Sequence, residues 1–137
     1  MTDRLGYEIH LQATLEDALE QLKNALKSEG FGVLTSIDVR TTMKEKLNED
    51  FRPYHILGAC NPPLAHRALT ADPEIGLLLP CNVTIEEISA GNILIRLIDP
   101  LKMMSIGIGD DPTLNQVAQD AAARMANVAV ALQALPE

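Results

Sequence analysis

Leu5, Tyr7, Ile9 and Leu11 alternate with Gly6, Glu8, His10 and Gln12, a period of two that predicts a half-buried strand. Thr14 then opens a helix, with Asp17 three residues on as an approximate capping box. Leu15, Ala18, Leu19, Leu22, Ala25 and Leu26 give it one apolar stripe at helical spacing, and Gly30 ends it. Phe31 to Arg40 reads as a second strand, with Phe31, Val33, Ile37 and Val39 on one face. Thr42 and Glu45 suggest a capping box over a short helix ending near Asn48, and Arg52-Pro53 breaks the chain. Tyr54 to Ala59 is a short apolar third strand.

Asn61 suits an N-cap and Pro62 the first helical position, where a missing N–H costs nothing. That helix stops before Asp72-Pro73. Cys81 to Ile88 and Asn92 to Asp99 form a hairpin around Ala90-Gly91. Asp99-Pro100 and Asp111-Pro112 are both helix starts of the cap-plus-proline kind. Leu114, Val117, Ala118, Ala121, Met125, Val128, Ala129 and Leu132 make the longest apolar stripe. The order predicts an α+β fold: an antiparallel sheet of about five strands with helices on one face. The 137 residues fit one domain, with no internal repeat or linker.

The segments Gly30 to Val39, Lys44 to Leu47, Tyr54 to Leu69 and Pro73 to Val83 together closely resemble a bacterial and archaeal family catalogued as "domain of unknown function 302". The resemblance covers about half the chain. It implies a compact strand-helix-four strands-helix fold similar to one half of the TATA-binding protein, in fold only. It also implies a small soluble protein that is often a dimer. The family's name assigns no activity.

Charge narrows the partners. With 11 Lys+Arg against 19 Asp+Glu, the net charge is −8, which repels phosphate backbones and anionic membranes. Neither nucleic acid nor a membrane is an expected partner. Met1 to Leu5 lacks a signal-peptide pattern and no apolar run approaches a membrane span, so the expected location is the cytoplasm. There the two cysteines are expected as reduced thiols.

Those cysteines carry the strongest candidate chemistry, because each is followed by asparagine: Cys60-Asn61 and Cys81-Asn82. Cys60 precedes a helix start, where free N–H groups and the dipole stabilise a thiolate. The bland reading is a small buried apolar residue. Cys81 shares its alternation with Val83 and Ile85, which favours packing, yet a turn at Pro80 places it beside Cys60 at one end of the sheet. His66 is the candidate base for Cys60, reaching back over a turn; a surface histidine is the commoner finding. A Cys2His2 metal set of Cys60, Cys81, His55 and His66 lacks knuckle spacing, so neither metal nor cofactor is expected.

The polar strand faces collect Glu8, His10, Asp38, Arg40, Thr84, Glu86 and Arg96. They read as a solvated face or as a dimer or ligand surface. The expected binding residues are Cys60, Asn61, Cys81, Asn82, His66 and Asp38. The favoured reading is a dimeric module binding a small molecule or partner near the two Cys-Asn motifs. The alternative is a thiol-dependent enzyme or redox protein using Cys60, with His66 as its base.

Overall fold

The strands join in one antiparallel sheet in a computed structural model that describes residues 4–134. They are β1 (Gly6–Gln12), β2 (Gly32–Asp38), β3 (Tyr54–Cys60), β4 (Cys81–Ser89) and β5 (Asn92–Ile98), in the spatial order β1-β5-β4-β3-β2. Helices α1 (Leu15–Ser28), α2 (Val39–Leu47), α3 (Pro62–Ala71), α4 (Pro100–Met104) and α5 (Pro112–Gln133) complete the α+β fold. A 3-10 helix, Pro73–Leu78, follows α3.

Local chemistry fixes the helix ends. The Thr14 hydroxyl accepts from the Asp17 N–H at 3.1 Å. At the other end of α1, Gly30 takes φ +83°. The Gly30 N–H donates to Lys27 O and the Phe31 N–H to Leu26 O, which makes a Schellman close with Phe31 against the core. Asp99 and Asp111 cap α4 and α5, each ahead of a proline.

One face of the sheet is covered. Ile9 and Leu11 of β1, Ile93, Ile95 and Leu97 of β5, Val83 and Ile85 of β4 and Leu57 of β3 meet Leu22 and Leu26 of α1 and Met125, Val128 and Leu132 of α5. Each such side chain contributes about 1.5–3 kcal/mol when fully buried. The first half of α5 leaves this core and packs a second one: Leu114, Val117, Ala118 and Ala121 meet Leu64 and Ala68 of α3, Ile75 and Met104. All eight positions of the predicted α5 stripe are buried.

The second strand differs from its expected form. A bulge between Val33 and Thr35 puts Val33 opposite Ala59 and Ile37 opposite Ile56. Inserting one residue reverses the alternation, so Ile37 leaves the face of Val33 and is 49% exposed. The strand also ends at Asp38, whose carboxylate accepts the Thr41 N–H at 3.0 Å and caps α2. The α2 cap is therefore Asp38, not the Thr42–Glu45 pair; the Thr42 hydroxyl instead donates to Asp38 O.

Candidate functional site

The end of β3 that runs into α3 borders a cavity of about 340 Å³. Its floor is small or flexible: Ala68 of α3, Ala121 of α5 and Met104. Leu34, the extra residue of the β2 bulge, stands at its wall and is 68% exposed. Gly58 makes close passage possible beside it, since a Cβ there would meet the Thr35 hydroxyl at 2.2 Å and Pro80 Cγ at 2.7 Å. The peptide bond between Leu79 and Pro80 is cis. The lining is mainly apolar, with few polar groups: two thiols, the Thr35 hydroxyl and the Asn61 amide. Such a lining fits a small apolar ligand.

Of the expected site residues, the cavity gathers Cys60, Asn61 and Cys81. The cysteines are free thiols, Cys60 half-buried and Cys81 buried. They do not form the expected thiol pair. Ala59, not Cys60, faces Cys81 across the β3–β4 ladder, so the two cysteines border the same cavity without being cross-strand partners. Burial, with a smaller contribution from Cys60, pushes the Cys81 thiol up to about 11, so it is neutral at physiological pH. Asn61 is largely consumed by structure. Its oxygen accepts from the Leu64 N–H at 3.4 Å and its amide donates to Glu29 O at 3.3 Å. Arg124 of α5 donates to the same carbonyl, so Asn61 ties the start of α3 to the end of α1 beside α5.

The other three expected residues lie elsewhere. His66 is exposed on α3 and does not line the cavity, because it falls off the buried Leu64–Ala68 stripe. Asp38 caps α2 at the far end of β2 and pairs across the ladder with His55. Asn82 sits opposite Gly58, on the face of the sheet away from α1 and α5. Among the described residues no group of three or more His, Cys, Asp or Glu side chains is placed to hold a metal ion. No helix among them is long and apolar enough to cross a membrane.

The uncovered face has its own organisation. Glu86 of β4, on the face away from α1 and α5, has a side chain only 4% exposed. Arg52 Nε donates to it at 2.7 Å, and Arg96 Nη1 of β5 donates to its other oxygen. Arg52 also stacks 4.7 Å from the centroid of Phe51. Burial works to raise the Glu86 carboxyl, but the hydrogen bonds and charges of Arg52 and Arg96 outweigh it and hold it below the usual carboxylate range. Glu86 and Arg96 stood among the polar strand positions in the sequence. Arg52 carried no signal, because its partner lies 34 residues away and the intervening chain is what brings them together.

Residues 7–132 match the model of the family described as domain of unknown function DUF302. The chain belongs to the DUF302 family. Its fold is similar to that of an uncharacterised conserved DUF302 protein from Bacillus stearothermophilus, known from a crystal structure, with a TM-score of 0.81. The two are 30% identical, and the match covers 95% of this chain and 99% of that one. No curated protein matches the chain significantly.

The buried carboxylate of this DUF302 domain makes a pH prediction. A native pKa below the unfolded value means that Glu86 contributes its full stabilisation above the ordinary carboxylate range and loses it as pH falls through the lowered native value. Glu86→Gln is expected to be about 1–3 kcal/mol less stable than the parent at pH 7, the guanidiniums being about half exposed. The gap should close as pH falls from the ordinary carboxylate range through the lowered native value. Urea unfolding across that range measures it, and a gap that is independent of pH contradicts the ion-pair account.

Proposed function

We propose that this domain is a binding module whose site is the apolar cavity bordered by Cys60, Asn61 and Cys81. The observation that carries the reading is the cavity itself: about 340 Å³ of space open to solvent on one side, walled by apolar side chains and by small residues of α3 and α5. Its chemistry suits a small apolar molecule. Self-association belongs to the same reading. Strand β2 is an edge of the sheet, and its Leu34 and Ile37 are 68% and 49% exposed, a surface that a second copy of the chain would cover.

A second reading rests on Cys60. It is half-exposed, lines the cavity and stands one residue ahead of the α3 cap, so a molecule held there meets a reachable sulfur. Among the described residues no base lines the cavity with it, His66 lying outside. Binding is therefore favoured over thiol catalysis.

Titration with 1-hexanol, followed by backbone amide shifts, tests the cavity. Saturable shifts centred on Cys60, Ala68 and Ala121 are expected, and Ala121→Leu, which fills the space, should abolish them. Equal responses in both proteins, or none in the parent, exclude the reading. Cys60→Ser should leave hexanol binding in place, which separates packing at the wall from any thiol chemistry. Light scattering at micromolar concentration is expected to give the mass of two chains, and a strictly monomeric mass removes the self-association.

A further inference from the structure

We propose that the open face of the sheet carries a second and separate site, for a small monocarboxylate with an apolar body. A recess of about 330 Å³ lies over β1, β5 and β4, beside Tyr54. Its charged lining is Arg4 and Arg96 against Glu8 alone. That positive balance is unusual on a chain whose net charge is −8. Glu86 holds Arg96 from one side and Glu8 stands 3.9 Å from its Nε, yet the Arg96 side chain keeps 45% of its exposure, so the guanidinium is positioned and its remaining N–H groups are reachable. A planar guanidinium matches a carboxylate in two parallel hydrogen bonds. A single surplus charge inside an acidic chain suits a monoanion, whereas a phosphate dianion meets the repulsion of the whole molecule.

Thr84 is an independent observation at the same place. It faces Arg96 across the β4–β5 ladder and lines the recess. Its hydroxyl is buried and has no hydrogen-bond partner among the described residues. Buried hydroxyls are almost always satisfied, so an orphan beside a recess asks for a partner from outside the chain. A carboxylate drawn in by Arg96 supplies the acceptor once Thr84 χ1 turns its oxygen toward the recess, a move between two staggered wells. Leu5, Ile98 and the Tyr54 ring offer the apolar wall for the rest of the molecule. This site shares no lining residue with the cavity near Cys60, and the failure of either leaves the other standing.

Benzoate, benzyl alcohol and inorganic phosphate are the probes, titrated into the whole protein and followed by backbone amide shifts. Benzoate is expected to give saturable shifts at Gly6, Thr84 and Arg96 that weaken with added salt, with benzyl alcohol and phosphate giving much weaker ones. Thr84→Val keeps the side-chain shape and removes only the orphaned hydroxyl. It should remain folded, with an unchanged or higher unfolding midpoint, and bind benzoate about tenfold more weakly. Arg4→Gln, at an exposed position, should also weaken binding. The proposal is overturned by any of four results: no saturable benzoate shift, an equal response to benzyl alcohol or phosphate, shifts confined to Cys60 and Ala68, or unchanged affinity in both variants.

Discussion

Everything in this molecule follows from covering a five-stranded sheet on one face only. Two long helices, α1 and α5, supply the cover, and strand alternation sends Ile9, Leu11, Val83, Ile85, Ile93, Ile95 and Leu97 beneath them. The same alternation leaves Glu8, His10, Thr84, Glu86 and Arg96 on the other side. A carboxylate in the middle of that second face is tolerated because Arg52 and Arg96 both donate to it. Removing one partner of such a cluster costs more than the cluster contributes when complete, since a buried charge is left uncompensated. The open face is therefore ordered by electrostatics, the covered face by apolar burial.

Helix α5 is longer than the covered face needs. Its second half closes the sheet core, and its first half closes a second core with α3, α4 and the 3-10 helix. Two cores on one helix leave a seam where they meet the end of β3. The cavity lies at that seam, next to Ala121 and Ala68, where small side chains of α5 and α3 face each other. The Glu29 carbonyl, accepting from both Asn61 and Arg124, holds the seam at its outer side.

The elements legible in the sequence were those whose signal is local. Caps at Thr14, Asn61, Asp99 and Asp111, the Gly30 stop and the α5 stripe depend on neighbours within four residues, and all stand as expected. Gly32, Gly58 and Gly76 in strand-like sequence contexts signal a bulge or a close backbone approach, but the position of the β2 bulge was not legible. It depends on Gly58 across the ladder admitting Thr35 and Pro80, which the order of residues in β2 does not encode. Asp38 was misplaced although its signal is local: its alternation suited the polar face of a strand, and its carboxylate caps α2 through the Thr41 N–H three residues on. Cys60, Asn61 and Cys81 border one cavity because both motifs sit at chain reversals at the same end of the sheet. The two cysteines stand at the same end of the sheet, as expected, but Ala59 and not Cys60 is the cross-strand partner of Cys81. Arg52 and the orphaned Thr84 hydroxyl emerge only from the fold.

The central claim is that the end of β3 holds one reachable thiol at the wall of the proposed ligand cavity and one buried thiol that serves packing. Timed alkylation of the native protein, read by mass spectrometry from pH 6 to pH 9 with and without 1-hexanol, tests it most directly. The account predicts that Cys60 labels in the folded state and is protected by hexanol. Cys81, raised to about 11 by burial, should label only as fast as the structure opens. Equal labelling of the two cysteines, insensitive to hexanol and matched to global unfolding, would contradict it.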